Sequence, residues 1–242
     1  MNAIQAINLT KQYKNVLAVN DLNLEVRQGE LFTLLGMNGA GKTTAVHMLS
    51  CLTLPTSGEV IIEGNRASRD ALAVKQNIGV SPQETAVAPQ LTVRENLELI
   101  CGIYGFSKGE TQRKITNLAE QFRLQDILSR KAGKLSGGWQ RRVSIAMALI
   151  GEPSVLFLDE PTLGLDVLAR RELWEIIRGL KGKITVLMTT HYMEEAQQLS
   201  DRIGILKDGT LLLVATPKAL MEKTGCDTVE QAFVAIVKEG KV

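Results

Sequence analysis

Three short runs in this chain have residue types and spacing suited to handling phosphate. The first, Gly36-Met37-Asn38-Gly39-Ala40-Gly41-Lys42-Thr43, fits the pattern G-x-x-x-x-G-K-S/T. Glycines let the main chain wrap closely and aim successive N–H groups at phosphate oxygens. A helix starting at Lys42 adds the positive end of its dipole. Lys42 can reach the β- and γ-phosphates, the Thr43 hydroxyl can ligate Mg²⁺, and Thr44 continues the cradle. The second run is Val155-Leu156-Phe157-Leu158-Asp159-Glu160. An apolar strand ending in Asp159 would set a carboxylate beside the phosphate loop, able to hold Mg²⁺ directly or through water. Glu160 projects differently and can polarise an attacking water. The third run, Leu135-Ser136-Gly137-Gly138-Trp139-Gln140, precedes a helical stretch over residues 141–150. Ser136 suits an N-cap, and Gly137 and Gly138 leave first-turn N–H groups open to a second anion. Taken singly, the third run is equally an ordinary capped helix.

An α/β framework has to carry these groups. Residues 31–35 read as a buried strand feeding the Gly-rich turn and a helix over about 42–52. Residues 155–158 and 184–188 read as further apolar strands. Residues 203–206 and 211–214 flank Asp208-Gly209, a hairpin signal. Residues 4–9 and 22–26 alternate apolar and polar, which suits a half-exposed antiparallel sheet. Between about Pro89 and Lys134 the strands stop. Helical stretches begin near residue 91, run over about 111–122 and surround 126–130. The predicted class is α/β: a P-loop NTPase core with an N-terminal antiparallel β subdomain and an inserted all-helical subdomain. Residues 1–242 form one domain, with the core over 1–88 and 134–216, the helical subdomain over 89–133, and a tail of short helices over 217–242.

The net charge of +2 is too small to argue for a nucleic-acid partner. The three cysteines, Cys51, Cys101 and Cys226, are widely spaced and read as reduced core thiols. No N-terminal stretch has the pattern of a secretory leader. No run approaches the roughly 18 apolar residues that span a bilayer, so a membrane role would be by docking.

The ordered set of motifs closely resembles the nucleotide-binding subunit of ATP-binding cassette (ABC) transporters over nearly the whole chain. Residues 36–43 match the family's Walker A loop, Asp159 the Walker B aspartate and Glu160 the catalytic glutamate. Residues 135–138 match the signature sequence. Gln83, in Ser81-Pro82-Gln83, matches the glutamine that senses Mg²⁺ and the γ-phosphate. Gly164-Leu165-Asp166 matches the loop that crosses between subunits, His191 the switch histidine, and Tyr13 the aromatic that stacks on adenine. The resemblance implies ATP and Mg²⁺ as cofactors and ATP hydrolysis as the activity. It also implies a head-to-tail dimer, with a second copy or a paralogous ATPase subunit, in which the signature helix of one subunit covers the ATP of the other. The partner to be driven is a separate transmembrane permease, and the location is the cytoplasmic face of the inner or plasma membrane. Residues 81–96, residues 189–195 and the short tail look like the drug- and antibiotic-exporting branch. A ribosome- or DNA-acting ABC ATPase is the alternative, but no second cassette or long coiled coil is present in the chain. A P-loop kinase would leave the signature helix unexplained. The chain departs from the family at Trp139, where Gln is usual, and at Leu163 and Gly164, where small residues such as Ser and Ala are common.

Overall fold

The computed structural model describes residues 1–239, so residues 240–242 of the predicted tail lie outside it. In chain order the elements are β1 (Asn2–Tyr13), β2 (Val16–Arg27), β3 (Leu31–Leu35), α1 (Lys42–Leu49), β4 (Ser57–Ile62), β5 (Asn65–Arg66), α2 (Ala71–Gln76) and β6 (Ile78–Ser81). Then come α3 (Val93–Ile103), α4 (Lys108–Gln121), α5 (Gly137–Leu149), β7 (Val155–Asp159), α6 (Val167–Arg178), β8 (Thr185–Thr190) and α7 (Met193–Leu199). The chain closes with β9 (Arg202–Lys207), β10 (Thr210–Ala215), α8 (Pro217–Thr224) and α9 (Val229–Glu239).

Two sheets form. An antiparallel sheet runs in the order β2-β1-β4-β5, and a larger sheet runs β10-β9-β3-β8-β7-β6. In the larger sheet only β10 is antiparallel, joined to β9 by the Asp208-Gly209 hairpin. Strands β3, β7 and β8 are buried along their whole length, as central parallel strands covered on both faces must be. Their side chains alternate between two cores because the strand period is two. Leu31, Leu156, Leu158, Val186 and Met188 pack with the helical insertion, α5 and α6. Phe32, Leu34, Val155, Phe157 and Leu187 pack with α1 and the antiparallel sheet. A third core seats α9 against β9.

The first two strands are each 12 residues long, longer than the short alternating pieces expected. Register shifts within their pairing break the alternation that marks a strand in sequence. The helices of the insertion start at capping boxes, Thr92 with Glu95 and Ser107 with Glu110. The second box explains why α4 begins at Lys108 and not near 111. The third helix expected around 126–130 is not formed. Arg123 takes a left-handed φ of 57°, and the chain then makes a single 3₁₀ turn over Gln125–Ile127. Residues 92 and 131 pair in an antiparallel bridge that closes the neck of the insertion. Buried Asn96 reinforces that neck, bonding both the N–H and the C=O of Ala88. Of the three cysteines only Cys101 is fully in the core.

Candidate active site

The phosphate loop is held in shape by the protein's own backbone contacts. Gly41 caps α1 with a φ of 99°, and a Cβ there would lie 2.3 Å from the Ala18 carbonyl oxygen. Only glycine tolerates both conditions. The Gly209 N–H donates to Ala40 O at 3.0 Å, and the Asn20 N–H donates to Gly209 O at 2.9 Å. The loop is thus stitched between β2 and the β9–β10 turn. No side chain caps α1 and no acid occupies its first turn, so its leading N–H groups stay available to an anion.

Beside the loop lies a cavity of about 530 Å³, within the range for small-molecule sites. Asn38, Gly39, Gly41, Lys42, Thr43 and Thr44 form one wall, with Gln83 and Glu160 among the other lining residues. Gly36 and Ala40 shape the loop without lining the cavity. Val16, Leu17 and Ala18 line it from the β1–β2 hairpin. Tyr13 is not brought into the lining. It sits across from Val16 in the hairpin register, with the Lys11 ammonium 4.9 Å from its ring centre.

Parallel pairing of β7 with β8 puts Asp159 opposite Thr189, and so gathers the acids and the histidine on one sheet edge. The Thr189 hydroxyl donates to Asp159 Oδ1 and accepts from the Glu160 N–H at 2.9 Å. Asp159 Oδ2 is buried with no hydrogen-bond partner among the described residues. Glu160 leaves the strand at a left-handed φ of 44°, a strain of about 1–3 kcal/mol for a non-glycine residue. That turn sends its carboxylate back over the loop. Oε1 lies 3.0 Å from Lys42 Nζ, and Oε2 lies 3.0 Å from His191 Nδ1. A carboxylate only accepts, so Nδ1 carries the proton. Lys42 Nζ also donates to Gly36 O at 2.9 Å and Met37 O at 3.2 Å. All three ammonium protons are therefore engaged inside the protein.

The unpartnered Asp159 oxygen fits a cation. No group of three or more His, Cys, Asp or Glu side chains converges on a metal position among the described residues. An ion here would rest on one carboxylate, a hydroxyl and phosphate oxygens, the sparse mode that suits Mg²⁺.

The signature residues lie apart from this cavity. Ser136 occupies the N-cap position of α5, but its side chain makes no capping bond, contrary to the sequence expectation. Ser136 and Gly137 are exposed. Gly138 is buried, and a Cβ on it would sit 3.0 Å from Ala169 Cβ, so its bareness lets α6 approach. Asp166 caps α6 through the Ala169 N–H at 2.9 Å. None of these four lines the cavity beside the phosphate loop. Trp139 is half-buried against the large core, with the Arg142 guanidinium 4.4 Å over its ring.

Among the buried charged residues that the sequence reading passed over, two bear on this site. Arg141 of α5 donates to the carbonyls of Pro82 and Gln83. Glu195 is fully buried and accepts at Oε1 from Trp174 Nε1 at 2.9 Å and from the Thr162 hydroxyl at 2.8 Å. It ties the segment after His191 to the crossing loop. Neither residue stands out by periodicity, since an Arg or Glu on a helix is usually solvated.

Burial pushes the Glu195 carboxyl above its ordinary pKa, against the pull of its hydroxyl and indole donors and of Arg170. A carboxyl with a raised folded pKa binds more protons folded than unfolded. Its share of stability is present at low pH and lost as pH rises from the unfolded value through the folded one. Glu195→Gln keeps an acceptor without the charge, and should flatten that fall in chemical-denaturation midpoints measured from mildly acid to mildly alkaline pH. Glu195→Ala strands two donors, at about 1–3 kcal/mol each, and should lower the midpoint at every pH.

A family model described as "ABC transporter" matches residues 19–163. The chain is 42% identical over 226 residues to a Nod factor export ATP-binding protein I from Burkholderia orbicola, covering 92% of this chain and 74% of that one. It is 38% identical over 242 residues to the probable multidrug ABC transporter ATP-binding protein YbhF of Escherichia coli, whose length it spans to 42%. Among solved structures, an ATP-binding subunit of an ABC transporter superposes with a TM-score of 0.86 at 29% identity, covering 98% of this chain and all of that one. A dimeric ATP-binding cassette, MJ0796, bound to ADP and Pi in a post-hydrolysis state, superposes with a TM-score of 0.79 at 30% identity, covering 88% and 98% of the two chains. With the phosphate loop, the paired acids and the histidine converging as they do, this chain belongs to the ABC transporter ATPase family.

Proposed function

We propose that the chain is the ATP-hydrolysing subunit of an exporter, working as a head-to-tail pair that drives a separate transmembrane permease from the cytoplasmic face of the membrane. The observation that carries this reading is the separation within one chain of two phosphate-fitted helix starts. One lines the cavity, and the other, at Ser136 and Gly137, is exposed away from it. A twofold pair brings each exposed start over its partner's nucleotide. The export assignment is supported by relatives named for Nod factor and multidrug transport. A second copy and a paralogous subunit fit the pairing equally.

In this reading Thr43, Gln83 and Asp159 would hold Mg²⁺, which when bound would offset phosphate charge. Lys42 exchanges its internal partners for phosphate. That exchange frees Glu160 Oε1 to take the proton of the attacking water. His191 holds Glu160 through Nδ1 and presents its other ring nitrogen to the γ-phosphate. Val16 and Leu17 supply the apolar floor for the base, with Tyr13 at the edge of the hairpin.

The helical insertion is the docking face for the permease. Leu99, Ile103 and Tyr104 of that subdomain are exposed apolar residues, and no helix among the described residues is long and apolar enough to cross a membrane. The Leu99→Glu, Ile103→Glu pair should leave ATPase activity of the isolated subunit within about twofold, as exposed substitutions do. It should abolish both co-purification with the permease and transport. Equal loss of isolated ATPase and transport would make the insertion merely structural and overturn the docking face.

A further inference from the structure

Gln83 lines the cavity although nothing regular holds its backbone. Strand β6 ends at Ser81, and the next helix starts at Val93. The segment is held from behind. Arg141 Nη1 donates to Pro82 O at 2.5 Å, and Nη2 donates to Gln83 O. Two successive carbonyls turned toward one donor is not strand geometry, so the guanidinium fork fixes a turn the chain would not otherwise keep. Arg141 is 4% exposed, its Nε has no partner among the described residues, and Asp159 is its electrostatic support. A buried cation of this kind is no more stabilising than an apolar side chain of equal volume. Its value lies in the geometry it imposes.

Arg141 sits one turn beyond Gly137 on α5. The same helix lies flush on β6. The Ser144 and Ser81 hydroxyls are 3.1 Å apart, and a Cβ on Gly79 would come within 2.3 Å of Ala148 O. The end of β6, the Gln83 turn and the first turn of α5 are therefore one packed unit. Resting on the reading that this cavity takes Mg²⁺-ATP, we propose that Arg141 is a positioning residue. It sets Gln83 in the chain's own nucleotide cavity and locks that setting to the orientation of Ser136 and Gly137, the surface offered to the partner's nucleotide. The rigid planar fork fixes the angle between the two carbonyls, whereas a lysine ammonium is a point charge on a flexible stem and leaves that angle free.

The test uses the full chain with Arg141→Lys, Arg141→Gln, Gln83→Ala and the two Arg141 variants combined with Gln83→Ala. Three quantities are read: the melting midpoint, the affinity for a fluorescent ATP analogue in EDTA and in Mg²⁺, and kcat. The phosphate loop is untouched, so affinity in EDTA should stay within about twofold. The Mg²⁺-dependent gain in affinity and kcat should both fall about 10- to 100-fold, the usual effect of removing a residue that orients a ligand. Adding Gln83→Ala should cost nothing more, since Arg141 acts through Gln83. Losses that multiply in the double variants, or a matching loss in EDTA, would overturn the proposal while leaving the site intact. Failure of both Arg141 variants to fold would show a structural plug and also overturn it. Gln83→Ala with wild-type Mg²⁺ dependence would instead remove Gln83 from the proposed site, and this inference with it.

Discussion

Glu160→Gln is expected to keep ATP bound and to slow its hydrolysis by about 10²- to 10⁴-fold, the usual contribution of a positioned general base. The substitution is nearly isosteric. Its remaining oxygen can still accept from Lys42 Nζ, now 3.0 Å from Glu160 Oε1, and glutamine at the left-handed backbone of position 160 meets the same strain as glutamate. What disappears is an atom that can take a proton from water. With hydrolysis blocked, the ATP-bound pair has no exit, so light scattering should show a Mg²⁺-ATP-dependent dimer whose population rises with protein concentration. The solved dimer with ADP and Pi is a relative at 30% identity. A Glu160→Gln protein that hydrolyses at the wild-type rate would remove Glu160 from the chemistry. One that binds ATP, does not hydrolyse it and stays monomeric would spare the chemistry and sink the sandwich.

Lys42→Ala should act on binding and on local stability together. Lys42 is 5% exposed, and its ammonium donates to two loop carbonyls and to Glu160. Its loss removes the one cation lining the phosphate wall among the described residues. Affinity for ATP should fall by about 2–4 kcal/mol, or roughly 30- to 1000-fold in Kd, as when one partner of a desolvated charged contact is truncated. The same change leaves the Glu160 carboxylate, 9% exposed at its side chain, with only His191 beside it. Breaking a buried pair costs about 3–5 kcal/mol, so the nucleotide-free protein should also melt lower. Fluorescence titration with a nucleotide analogue and thermal denaturation of the ligand-free chain read the two effects separately. Wild-type affinity would exclude the lysine from phosphate recognition.

Much of this site was legible because its signals are local. The phosphate loop is eight consecutive residues, 36–43, and the acids close a run of four apolar residues. The hairpin at Asp208-Gly209 announces itself by its turn pair. What escaped depends on distance along the chain. Arg141 meets the Gln83 carbonyl 58 positions away, and Glu195 meets Thr162 33 positions away. No periodicity encodes which turn a buried guanidinium will hold. Trp174 reads as one more apolar helix position, yet its indole N–H is one of the two donors to the buried Glu195 Oε1. The bulged strands β1 and β2 lost their alternation and read short. Tyr13 carried the expected aromatic, but the hairpin turns Val16 and Leu17 to the cavity. The family resemblance suggested stacking by Tyr13, while strand register decided which side chains face the cavity.

The glycine at position 41 has a consequence for timing. Because the Ala18 oxygen would stand 2.3 Å from a Cβ there, only glycine lets the loop pack against β2, where the Asn20–Gly209–Ala40 hydrogen bonds hold it. The backbone cradle is thus fixed by the fold, and what has to move when phosphate enters is a side chain, the Lys42 ammonium leaving Gly36 O, Met37 O and Glu160 Oε1. A lag in binding would time that exchange and not a folding of the loop.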